Sequence, residues 1–134
     1  MHLRGMATGC ASEVVAMRAT DALGRRGEDL AAAHLNDLGL VILERNYRSR
    51  AGELDIIARD GDVLVICEVK TRSTEHFGHP LAAVDHRKLR RMRRVALDWV
   101  SERGVRPGSI RFDVIGILDG ASGSLTLEHL RGVD

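Results

Sequence analysis

The sequence predicts a single α/β domain, a mixed sheet flanked by helices in the order α-β-β-β-α-β-β. Three observations carry that prediction. Two long segments place apolar residues at helical spacing, and five short ones alternate or run apolar as strands do. Turn residues separate them, and the two kinds are interleaved along the chain. At 134 residues, 44% of them apolar, the chain can build one substantial core.

Residues 1–20 have weak periodicity and three methionines, Met1, Met6 and Met17. They read as a loose tail before a domain spanning 21–134. The first helix is expected from Asp21 or Ala22 to Leu38, closed by Gly39, with Glu28, Ala31, Ala32 and Leu35 on one stripe. A strand follows over 40–48. The segment GELDIIARDG (52–61) reads as a strand over 53–59, with Leu54, Ile56 and Ala58 alternating against Glu53, Asp55 and Ile57. Next, VLVICEVKTR (63–72) gives a strand over 63–70. Val63, Val65, Cys67 and Val69 point one way and Leu64 and Ile66 the other, the pattern of a strand buried on both sides. A loop with Gly78 and Pro80 leads to a second helix from about Ala82 to Arg103, ended by Gly104. Its core stripe is Leu89, Met92, Ala96 and Trp99/Val100. Strands over 110–118 and 125–130, joined by the turn at 119–124, complete the order.

The chemistry concentrates at the end of the third strand. Glu68 and Lys70 share a face with Leu64 and Ile66, and ionised groups there are costly unless paired or holding a metal. The chain has 20 Lys and Arg, of which only Lys70 and Lys88 are lysines, so a lysine at 70 points to a compact, tunable ammonium. The bland alternative is a Glu–Lys ion pair at a strand end. The hairpin turn decides what else joins. With Asp60-Gly61 as the turn, Asp55 lies opposite Ile66; with Gly61-Asp62, it lies opposite Glu68. Both registers put Glu53, Asp55, Glu68 and Lys70 on one face. A three-residue loop would reverse the parity and separate Asp55 from Glu68. Clustered carboxylates repel one another, so the set reads as a cation site with a helper base.

Composition narrows the classes. Four aromatics, Tyr47, Phe77, Trp99 and Phe112, are too few for a base-stacking platform. No apolar run reaches the length of a membrane span, and the first residues lack a secretory pattern. Two cysteines, Cys10 and Cys67, make no disulfide framework, Cys67 reads as a small core residue, and a reducing cytoplasm is expected. The net charge of +1 conceals a basic stretch over 71–111 and an acidic remainder. Within the basic stretch lie Arg87, Lys88, Arg90, Arg91, Arg93 and Arg94, with no acid between Asp85 and Asp98 to pair with them. Phosphate contact explains that run better than a solvated face, and Arg72 suits the same role.

The pieces GRRGEDLAAAHL (24–35), GELDIIA (52–58), EVKTR (68–72) and RFDVI (111–115), in this order, resemble the YraN-like family of uncharacterised bacterial proteins. That family in turn resembles the PD-(D/E)XK nuclease superfamily, with its restriction-endonuclease-like core, and the archaeal Holliday-junction resolvases. The resemblance implies Asp55 and Glu68 as metal ligands, Lys70 as the catalytic lysine and Glu28 as a further acid from the first helix. It implies Mg²⁺ or Mn²⁺ as cofactor, DNA as partner with branched structures among the substrates, no membrane, and a homodimer as a compatible assembly. Leu54 stands where the short motif has proline. The phosphate-contact set is Arg72, Arg87, Lys88, Arg91 and Arg94.

Other residues receive plainer readings. Glu53 reads as a surface residue at a strand start, and His34 as a boundary residue. Asp113 beside Arg111 reads as an ion pair, and His76 and His79 as loop polarity, since zinc would want more ligands. Two functions compete: a metal-dependent nuclease, and a non-cutting nucleic-acid-binding module on the same fold. A third, an interaction domain with purely structural charges, leaves the basic run unexplained.

Overall fold

A computed structural model describes residues 19–73, 84–120 and 124–133. The tail over 1–18, the loop bearing His76, Gly78, His79 and Pro80, the expected helix start at Ala82, and residues 121–123 lie outside them. The described order is α1 (Ala19–Asp37), β1 (Val41–Ser49), β2 (Gly52–Asp60), β3 (Val63–Ser73), α2 (His86–Arg103), β4 (Ser109–Asp119) and β5 (Leu125–Leu130). This is the expected architecture. The helix α1 opens at Ala19, inside the segment read as tail.

The five strands form one sheet in the order β1-β2-β3-β4-β5. The β3–β4 pair is parallel and the other three are antiparallel. A parallel pair needs a crossover, and α2 supplies it. The helices take opposite faces. Leu30, Ala31 and Leu35 of α1 pack on Ile56, Ala58, Val65, Cys67, Val69 and Ile115. Met92, Val95, Ala96 and Trp99 of α2 pack on Leu64, Ile66, Phe112 and Val114. The two-sided burial expected of β3 is therefore met: odd residues under α1, even residues under α2. No helix among the described residues is long and apolar enough to cross a membrane.

Two local features set the geometry of the sheet's far end. Gly27 lies where α1 meets β3, and a Cβ there would come within 2.2 Å of Thr71 Oγ1. A larger residue there would force the Thr71 hydroxyl to move, and the next residue is Glu28. Asn46 has φ 54, the sole non-glycine in the left-handed region among the described residues. It lies between the pairs Arg45↔Ile56 and Tyr47↔Leu54. Ile56 belongs to the α1-side cluster, yet Leu54 belongs to the α2-side cluster. Arg45 likewise reaches Asp29 on α1, whereas Tyr47 reaches Glu102 on α2. Both strands thus exchange faces at Asn46 and Asp55. The regular alternation expected for Leu54, Ile56 and Ala58 fails at this twist. Glu53 does not join the acids, and is exposed in an ion pair with Arg48 at 3.1 Å.

Candidate active site

The register of the β2–β3 hairpin decides which acids meet. The pairs run from Asp60↔Val63 to Ile56↔Cys67, so Gly61-Asp62 is the turn. Gly61 takes φ 61 at the first turn position, which a two-residue hairpin loop favours. One step past the last pair, Asp55 comes opposite Glu68. Its carboxylate Oδ2 accepts the Val69 N–H at 2.8 Å, taking a place a backbone carbonyl would hold in a continued ladder.

Asp55 is electrostatically uncomfortable. Burial pushes its carboxyl up from 3.8 to about 7, and the negative charge of Glu68 adds to the rise; the Val69 hydrogen bond opposes it, and the charges of Glu28 and Glu53 add smaller increments. Glu28 faces this region from α1, held loosely by Arg45 at 3.9 Å. A carboxyl raised this way keeps its proton in the folded chain between pH 3.8 and about 7, where the unfolded chain has lost it. Stability contributed by that proton is complete below 3.8 and is lost as pH rises through about 7. Asp55→Asn retains an acceptor for Val69 and removes the titration. In chelator, wild type and variant should match in stability near pH ~4 and diverge as pH rises, the variant ending more stable by about 2–4 kcal/mol above pH ~7.5. Urea unfolding across that range checks this; parallel curves would mean Asp55 is not strained.

Glu68 is 7% exposed and lies midway along β3 on the α2 side, because the strand continues to Ser73, beyond the end expected at 70. Its cation is Lys88, whose Nζ lies 2.6 Å from Glu68 Oε2. The ion pair considered for Glu68 and Lys70 is therefore made with the other lysine. Lys70 is half-buried beside Gly116 of β4 and has no ion-pair partner among the described residues.

The helix α2 begins at His86, four residues later than expected, because Asp85 caps it: the Asp85 carboxylate accepts the Lys88 N–H at 2.9 Å. Arg87, Arg90, Arg91, Arg93 and Arg94 are exposed. Arg93 stacks over Phe112 at 5.2 Å, and the stem of Arg91 lies over Gly52, where a Cβ would meet Arg91 Cδ at 3.1 Å. Gly52 begins β2, three residues before Asp55. The basic start of α2 and the carboxylates therefore occupy the same end of the sheet. Arg72 is half-buried two residues past Lys70.

Among the described residues no group of three or more His, Cys, Asp and Glu is placed to hold a metal ion, so Asp55 and Glu68 could offer a cation two carboxylates, the number from which Mg²⁺ is commonly held with waters completing its shell. They do not make a zinc cage.

Of the residues given plainer readings, Glu53, Asp113 and His34 keep them, while His76 and His79 lie outside the described residues. Asp113 is fully buried and accepts Arg111 at 3.0 and 3.1 Å, His129 at 2.8 Å and the Gly132 N–H at 3.1 Å. Burial pushes its carboxyl up, but these bonds outweigh it and hold it below the usual value. His34 bonds His129 at 3.1 Å at the α1–β5 boundary. Cys67 is buried, and burial raises its thiol well above the usual range. The contact that sequence reasoning missed is Lys88 on Glu68. Its signal was present: Lys88 stands four residues before Met92 and seven before Val95, on the buried stripe.

The sequence is similar to those of known proteins. The profile of the uncharacterised protein family UPF0102 matches residues 27–117. A UPF0102 protein of Streptomyces griseus subsp. griseus is 52% identical over 118 residues, covering 87% of this chain and 99% of the relative. One from a Nocardioides species is 53% identical over 112 residues, covering 84% and 90%. One from Leifsonia xyli subsp. xyli is 47% identical over 117 residues, covering 87% and 99%.

Proposed function

This chain belongs to the uncharacterised protein family UPF0102, the YraN-like group, and from that premise we propose that it is a metal-dependent nuclease hydrolysing DNA phosphodiesters, branched DNA included. The observation that carries the reading is the pair Asp55 and Glu68, opposed across two strands, with the half-buried Asp55 carboxyl raised by desolvation and by the charge of Glu68. The resemblance to PD-(D/E)XK nucleases supports it. Asp55 and Glu68 would hold Mg²⁺ or Mn²⁺ through their carboxylate oxygens, with Glu28 adding negative charge from α1. Such an ion supplies Lewis acidity toward the phosphate and balances its developing charge. Lys70 orients or deprotonates the attacking water, or stabilises charge on the phosphoryl oxygens. Arg72, Arg87, Arg91 and Arg94 hold flanking phosphates. A cytoplasmic location and a homodimer go with this reading through the resemblance.

One observation favours the runner-up, a non-cutting nucleic-acid-binding module. Glu68 is paired with a cation of the chain itself, Lys88. The deciding experiment is a cleavage assay with Mg²⁺ and Mn²⁺ on linear, single-stranded, flapped and four-way DNA, beside Glu68→Ala. Wild type should cut at least one substrate and the variant none. DNA binding without cutting in either metal would leave the binding module as the better account.

A further inference from the structure

Lys88 occupies a position that helix physics disfavours. It lies in the first turn of α2, where the macrodipole repels cations, and that turn contains no acid. It is also on the stripe that buries Met92, Val95, Ala96 and Trp99, so its side chain is directed at the sheet instead of into solvent. There its Nζ meets Glu68 Oε2 at 2.6 Å; the lysine side chain is 31% exposed and the glutamate side chain 9%. The neighbouring acid, Asp55, has only the Val69 N–H as a hydrogen-bond donor among the described residues.

An ammonium on a flexible four-carbon stem can leave such a carboxylate, which a fixed structural ion would not do. Within one turn of Lys88 are the exposed Arg87 and Arg91. We propose that Lys88 is an exchangeable counter-ion. It neutralises Glu68 while no divalent cation is bound, and when a cation takes the carboxylate oxygens its ammonium turns outward to a DNA phosphate beside Arg87 and Arg91. The inference rests on the metal site of the proposed function. It adds a coupling that reading lacks: metal and DNA each strengthen binding of the other by the same factor, because both favour the released lysine.

Two measurements on the full chain test the exchange. The first is calorimetry with Mn²⁺ alone. Removing the competing ammonium in Lys88→Met should tighten Mn²⁺ binding by about fivefold to tenfold, and Glu68→Ala should abolish it. Lys88→Gln, which keeps a hydrogen-bond donor for Glu68, should shift affinity in the same direction and serves if the Met variant does not fold. The second measurement is DNA affinity in chelator across a salt series. Lys88→Met should leave the salt slope of wild type unchanged, since the tied lysine contacts no phosphate. Glu68→Ala should steepen it by about 0.9, one released cation, and adding Lys88→Met to that variant should reverse the gain.

Mn²⁺ binding by Lys88→Met and Lys88→Gln no tighter than by wild type, with Glu68→Ala still abolishing it, overturns the exchange and leaves the metal site standing. Absence of Mn²⁺ binding by wild type and both Lys88 variants overturns the metal site and the exchange together. A Glu68→Ala salt slope equal to that of wild type also overturns the release of Lys88.

Discussion

Replacing Lys70 with Ala should lower Mg²⁺-dependent DNA cleavage by about 10²–10⁴-fold while leaving DNA affinity nearly unchanged, the effect of losing a positioned proton-transfer or charge-stabilising group. Lys70 shares the face of Glu68, two residues farther along β3, and has no ion-pair partner among the described residues. Lys88, by contrast, is held by Glu68. Among the described residues, then, one lysine of the chain is paired and the other is not. Lys70→Arg should not restore activity, because a guanidinium stays protonated and is too broad for a compact ammonium's place. Single-turnover cleavage gels beside fluorescence anisotropy separate the two effects. If Lys70→Ala cuts at the wild-type rate, Lys70 has no part in the chemistry. If it loses binding and cutting in equal measure, its role is phosphate contact.

The second large effect belongs to α2. Replacing Arg87, Arg91 and Arg94 together with Ala should weaken DNA affinity by on the order of tenfold to hundredfold at moderate salt. It should also flatten the salt dependence by about 0.9 per lost phosphate contact. All three side chains are exposed, whereas Met92, Val95, Ala96 and Trp99 hold the helix to the sheet, so the fold should survive. Arg91 also covers Gly52 with its stem, so circular dichroism melting should accompany the binding series. Equal affinity at every salt would make the run a solvated face. The same variant should retain Mn²⁺ binding, because the carboxylates lie on the strands.

Much of this site was legible before any tertiary structure. Hydrophobic periodicity is a local property, and it placed both helices and all five strands. The parity of β3 placed Glu68 and Lys70 on the face of Leu64 and Ile66, and the packing of those two residues shows that α2 covers it. The turn reduced the position of Asp55 to two registers, of which Gly61-Asp62 is the one formed. The rest depended on contacts between elements distant in sequence. The face exchange at Asp55 follows from the left-handed Asn46 on a different strand. The position of Glu28 follows from how closely Gly27 lets α1 approach Thr71. The partner of Glu68 was decided by how the crossover helix lies on the sheet. Helical and strand periods state which face a side chain occupies, but not what lies across from it. An ion pair needs atoms within a few ångströms, and here only the packing of α2 against the sheet brings Lys88, twenty positions along the chain, to Glu68 in place of Lys70 two positions away.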